Sequence, residues 1–282
     1  VLLAAPVLFL ASWAGGRLQS LLASTHLRAQ TMLSFVGGLM LGMGLLHLLP
    51  HAVIELGSLD HAVWATLAGV LAIFLLMRFL HVHSHEPGVA CLESEADDAH
   101  SHGDDETKAP AAVRWWTLLA GLSLHGIVDG MAIAAAAKIE SGHSMIPGLA
   151  VLVVVLLHKP IDAMALTSTM ATGGATPERR SLLNIGYAVV TPIAAVVAYL
   201  GLTLSGEAAG YVLAFAAGAF LCVALADLMP EVQFHSHHRV RLTAALIAGV
   251  SVSILLGIAE GANHGHAHAH DGDGHAGHRH PH

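Results

Sequence analysis

Apolar runs of roughly 17–20 residues recur along this chain, each long enough to cross the hydrocarbon core of a bilayer as a helix. No other feature narrows the fold as much. In lipid every backbone N–H and C=O must find its partner within the protein, so only helices and closed barrels span the membrane. The runs are continuous rather than alternating, which argues against a barrel. The expected fold is therefore an all-α membrane protein with eight transmembrane helices, near 1–16, 31–50, 62–80, 115–137, 146–171, 182–204, 208–230 and 242–260. Composition agrees: only 11% of the 282 residues are charged, against about 25% in a soluble domain. The first run has no basic start, and Gly15-Gly16-Arg17 is a poor cleavage site. It reads as an N-terminally truncated helix 1 rather than a signal peptide.

These runs divide the chain into helices 1–3 at 1–80, a polar loop at 81–112, helices 4–8 at 113–260 and a tail at 261–282. The loop carries His81, His83, His85, His100 and His102 among many acidic residues, and the tail from His264 holds eight histidines. Neither segment has enough apolar surface to fold alone, so both are expected to be disordered. The loop is a candidate for collecting metal ions, because imidazoles spaced as in His81-x-His83-x-His85 permit chelation. The formal charge of −8 comes mostly from this loop, and the absence of a basic stripe argues against nucleic acid as a partner. The two cysteines, Cys91 and Cys222, suggest neither a disulfide framework nor a thiolate site.

Lys and Arg set the orientation. With the N-terminus outside, nine of them fall in inner loops and two, Lys138 and Arg279, in outer ones. This places both termini outside the cytoplasm and the acidic histidine loop inside, in a protein integral to the cell's inner membrane. An internal repeat fits that topology. Phe35-x-x-Gly38…His47-Leu-Leu-Pro50-His51 matches Phe215-x-x-Gly218…Asp227-Leu-Met-Pro230-Glu231 at a constant offset of 180. The two copies run in opposite directions, as in inverted-repeat transporters whose sites lie near the midplane.

A second repeat carries the chemistry. His125-Gly-Ile-Val-Asp129-Gly and His158-Lys-Pro-Ile-Asp162-Ala each place an imidazole and a carboxylate four residues apart, on one face of a membrane helix. A carboxylate at mid-bilayer costs roughly 2.5–3.5 kcal/mol on insertion scales, so two such pairs need a reason. A polar network tying two helices is one. A divalent metal ion held by His125, Asp129, His158 and Asp162 satisfies all four groups at once and is the stronger reading. Lys159, inside the second pair, would repel a metal, yet it offsets one aspartate charge when no ion is bound; the alternative is that it snorkels to an interface. Pro160 should kink its helix and free the Leu156 carbonyl, or is an ordinary membrane proline. His47, His51, Asp227 and Glu231 flank prolines near span ends. They are either a pathway or gate at the two mouths, or interfacial residues closing helices. Met131 and Met164 are expected to pack. Glu140 and His143 fall in an outer loop and are expected to be solvated.

With these motifs the chain resembles the ZIP (Zrt/Irt-like) metal transporters over nearly its whole length. His-Gly-Ile-Val-Asp-Gly is similar to that family's span-four motif, His-Asn-x-x-[Glu/Asp]-Gly, and His-Lys-Pro-Ile-Asp-Ala to its span-five motif. The resemblance implies uptake of zinc into the cytoplasm, with Fe2+, Mn2+ or Cd2+ as other cargo. It implies no organic cofactor, a homodimer in the bilayer, and an elevator-like or rocking movement of a transport bundle. It puts the primary metal on His125, Asp129, His158 and Asp162. The chain departs from the family where Gly126 replaces the usual Asn and Lys159 sits where binuclear members have a ligand. Span six also lacks a carboxylate. The ammonium then supplies the charge of a missing second ion, leaving a mononuclear site. The alternatives are a cation-diffusion-facilitator-like exporter, which has six spans and a cytoplasmic C-terminal metal domain, and an intramembrane metal-dependent hydrolase. No H-E-x-x-H and no nucleophile elbow supports a hydrolase, so the expectation is a transporter and not an enzyme.

Overall fold

A computed structural model describes residues 1–18, 26–79, 111–142, 146–201, 206–234 and 239–265. Every regular element among them is helical. The rods are α1 (Ala4–Leu18), α2 (His26–Met43), α4 (Leu59–Phe79), α5 (Ala111–Ile139), α6 (Leu149–Thr172), α7 (Pro177–Gly201), α8 (Gly206–Phe234) and α9 (Arg239–Gly265). The second rod does not end at Met43. It continues through a π-helical turn, Gly44–Leu48, into α3 (Leu49–Leu56). The described residues thus form eight rods, and seven of these are long and apolar enough to cross a membrane. α1, with 15 residues, reaches only about 22 Å at 1.5 Å per residue.

The rods sort into two groups. α1, α5, α6 and α7 pack on one another, α2, α4, α8 and α9 do the same, and α8 meets α5 across the divide. Apolar residues cover the outside of both groups, including Trp64, Phe74, Leu182, Val197 and Leu255. This is the inverse of a soluble surface and the arrangement a lipid solvent requires. The largest apolar core lies between the groups, from Leu39, Met43 and Leu48 through Val151 and Val155 to Leu213 and Phe220.

The second group is built on a symmetry wider than the Phe-x-x-Gly repeat. A Cβ on Gly38 would strike the Leu246 carbonyl of α9, and one on Gly249 the Phe35 carbonyl of α2. A Cβ on Gly218 would strike the Thr66 carbonyl of α4, and one on Gly69 the Phe215 carbonyl of α8. Shifting Phe35, Gly38, Leu246 and Gly249 by the offset of 180 yields Phe215, Gly218, Thr66 and Gly69. The two seams are therefore equivalent: α2 crosses α9 as α8 crosses α4. In lipid, helix association depends on close backbone packing, and glycine permits it.

α1 is seated in the first group by the Gly15-Gly16 pair. A Cβ on Gly15 would collide with the Pro160 backbone of α6, and one on Gly16 with the Asn184 amide of α7. Asn184 Nδ2 in turn donates to the Trp13 carbonyl at 3.1 Å. α6 continues as helix across Pro160, whose backbone is the surface on which α1 rests. At the end of the bundle where α1 stops and α7 starts, Arg17 donates to Ser181 Oγ at 3.2 Å. The Arg179 guanidinium lies over the stacked rings of Trp115 and Trp116 there.

Candidate metal centre

α5 carries His125 and Asp129 one turn apart, and α6 carries His158 and Asp162 in the same way. Because α5 and α6 pack together, all four side chains meet inside the first helix group. His125, His158, Lys159 and Asp129 are buried to 5% exposure or less, and the Asp162 side chain is 19% exposed. One ligand atom each from His125, His158 and Asp162 lies within 4.8 Å of the others. Asp129 is adjacent, with Oδ1 3.6 Å from His125 Nε2 and Oδ2 3.4 Å from His158 Nε2.

The hydrogen bonds show what the cluster lacks. The His158 Nδ1–H donates to the Val154 carbonyl one turn earlier, at 2.9 Å. That bond selects the tautomer whose Nε2 lone pair points at Asp129, and it fixes the ring as such partners do for metal-bound histidines. A lone pair facing a carboxylate repels unless a proton or a cation lies between them. Both ring nitrogens of His125 and Oδ1 of Asp129 are buried without a hydrogen-bond partner, an expensive condition in an apolar interior. Two imidazoles and two carboxylates around these unsatisfied atoms form a donor set suited to zinc or a similar borderline dication.

Lys159 does not snorkel to an interface. It is 1% exposed, and its Nζ lies 2.6 Å from Asp129 Oδ2 and 3.6 Å from Asp162 Oδ2. A Cβ on Gly126 would come 3.3 Å from this ammonium and 2.9 Å from Thr191 Oγ1, so the missing side chain at 126 makes the space that the lysine fills. α7 adds a residue that sequence reasoning missed. The Tyr187 hydroxyl donates to Asp162 Oδ2 at 3.4 Å and accepts from Lys159 Nζ at 3.4 Å. Its signal in the sequence is a tyrosine within an apolar helix. From the other group, the buried Phe220 ring of α8 sits 6.3 Å from the His125 ring and 6.0 Å from that of His158.

The expectation for Glu140 is corrected. It is not solvated but 3% exposed. Its Oε2 accepts the Gly148 N–H at 2.7 Å, and its Oε1 lies 3.8 Å from His47 Nε2. Gly148 has φ +76°, a left-handed conformation that glycine adopts without strain, and this aims its N–H back at the carboxylate. His47 lies in the π-helical turn and is buried, with its ring 4.6 Å from that of His51. Asp227 and Glu231 lie on the last turns of α8, and their side chains fall outside the described residues. The same holds for His81, His83, His85, His100, His102 and His143, and for the tail beyond Gly265.

Compared with known proteins, residues 79–259 match the sequence model of the ZIP Zinc transporter family. The chain is 33% identical over 156 residues to Zinc transporter ZIP9 of Xenopus tropicalis, covering 52% of this chain and 50% of that protein. Against Zinc transporter ZIP9-B of Xenopus laevis it is 31% identical over 186 residues, covering 59% and 60%. Against Zinc transporter ZIP4 of Homo sapiens it is 26% identical over 291 residues, covering 84% and 44%. The chain thus spans about half the length of the curated relatives it matches.

Proposed function

The chain belongs to the ZIP zinc transporter family, and on that premise we propose that it carries a divalent cation, zinc first, across the membrane into the cytoplasm. It is read as a transporter, not an enzyme, and the ion is its cargo. The ligands are His125, Asp129, His158 and Asp162. The observation that carries this reading is the set of facing ligand atoms: both nitrogens of His125 and Oδ1 of Asp129, which have no hydrogen-bond partner, together with the Nε2 of His158 aimed at Asp129.

Charge supports a single ion. Two carboxylates and one ammonium leave the site at −1 with neutral imidazoles. One dication turns it to +1, and a second would face net repulsion in a medium that screens poorly. Lys159 therefore serves as the resident cation beside a mononuclear site. The division into two helix groups supports a mechanism in which α1, α5, α6 and α7 move with the ion against the other four. Phe220 faces the site across that divide. His47 and His51 admit the ion at the outer mouth, and Asp227 and Glu231 receive it at the inner one. The His81–His102 loop collects metal in the cytoplasm, both termini lie outside, and the unit in the inner membrane is a homodimer. The carboxylates bind only when deprotonated, so protonation on the release side eases the ion off.

Zinc uptake into proteoliposomes tests the assignment. Asp162→Asn keeps an acceptor for Tyr187 while removing the charge, and Asp129→Ala removes the other carboxylate. Each is expected to lower uptake at least about tenfold. Wild-type uptake in both would overturn the ligand set.

A further inference from the structure

We propose that His47, Glu140 and His51 form a second divalent-cation site, which bridges the two helix groups. The proposal deepens the transport reading, which puts His47 and His51 at the outer mouth, by adding Glu140 to them as a ligand. His47 and His51 come from the second rod, in the group with α4, α8 and α9. Glu140 follows the last turn of α5, in the group that holds the central site. Eleven residues of helix separate Glu140 from Asp129, which sets the second site about 16 Å from the first along α5.

Three features mark a built site rather than a chance contact. First, the Glu140 carboxylate is buried and oriented. Its Oε2 is held by the Gly148 N–H at 2.7 Å, leaving Oε1 to face His47, in the way outer-shell partners orient ligands. Second, the separation of His47 Nε2 from Glu140 Oε1 is 3.8 Å. That is too long for a hydrogen bond but within a few tenths of an ångström of the roughly 3.4 Å between two ligands of one tetrahedral zinc. Third, His47 lies in a π-helical turn, an irregularity frequent at functional sites, which re-aims the side chains it carries. His51, one turn on with its ring 4.6 Å from that of His47, supplies the third ligand by rotating about its side-chain bonds. Two imidazoles and one carboxylate leave a fourth position open to water, so an ion can arrive hydrated and depart again. With the ion bound, α2 and α5 are joined through it, and the two groups resist separation at this end.

Hydrogen exchange of the full-length protein in nanodiscs, with Zn2+ as the probe, tests the proposal where the histidine loop and tail cannot interfere. Amides of Gly44–Leu48 and of residues 140–148 are read peptide by peptide. In the wild-type chain, free zinc at a hundred times the local dissociation constant is expected to slow their exchange by up to about a hundredfold. In Glu140→Gln, which keeps an acceptor for Gly148, and in His47→Gln, that protection is expected to disappear. In His158→Ala, where the central site is broken, it is expected to persist. Absence of zinc protection in the wild type, or equal protection in Glu140→Gln and His47→Gln, overturns the second site. So does its loss in His158→Ala. None of these outcomes depends on whether the central quartet transports zinc.

Discussion

Replacing Lys159 by Met should turn a site that is stable when empty into one that needs its ion. Methionine approximates the lysine stem and leaves out the ammonium. In the native chain that ammonium lies 2.6 Å from Asp129 Oδ2, and both side chains are 1% exposed or less. Its removal leaves the Asp129 carboxylate buried, with only imidazole nitrogens at 3.4 and 3.6 Å for company. Breaking a buried pair from one side typically costs about 3–5 kcal/mol. At roughly 2–4 °C per kcal/mol for a chain of this size, the metal-free protein should melt about 6–20 °C lower. Zinc at a hundred times the wild-type dissociation constant adds about 2.7 kcal/mol to the wild type, and at that same concentration a tighter-binding variant gains more. The site charge falls from −1 to −2, so zinc should also bind more tightly than in the wild type. Thermal unfolding of the purified protein in detergent, with chelator and with zinc, measures both effects. A metal-free Lys159→Met protein that melts with the wild type, or one that gains no more from zinc than the wild type does, would refute the idea of a resident cation.

Two further outcomes test the surroundings of the site. Tyr187→Phe removes the hydroxyl that links Lys159 to Asp162, and zinc affinity by calorimetric titration should weaken about 10–100-fold while the fold is kept; unchanged affinity would make Tyr187 a packing residue only. Gly15→Ala drives a methyl group into the Pro160 backbone and should cost about 1–3 kcal/mol or more, whereas a Cβ on Gly186 meets nothing within 4 Å, so Gly186→Ala should melt at or above the wild-type temperature. Equal melting of the two variants would show that α1 does not rest on α6 as described.

Much of this protein is set locally and can be read without coordinates. Long apolar runs demand helices, because lipid offers the backbone no hydrogen-bond partner, and the spacing of four in each His/Asp pair puts both groups on one helix face. The offset of 180 is likewise visible in Phe35 and Phe215. Other features depend on which helix lies against which, and one-dimensional patterns do not encode that. Gly69 and Gly249 become the other half of the repeat only once α4 crosses α8 and α9 crosses α2. Tyr187 joins the candidate metal centre because α7 packs on α5 and α6, and Lys159 turns inward because Gly126, on a different helix, leaves it room. Glu140 belongs to a loop by its sequence but is buried by the left-handed turn at Gly148 and by a histidine ninety-three positions earlier. Spacing along a helix determines which groups share a face; packing between helices decides which faces meet, and a buried charge takes its role from the neighbours that packing supplies.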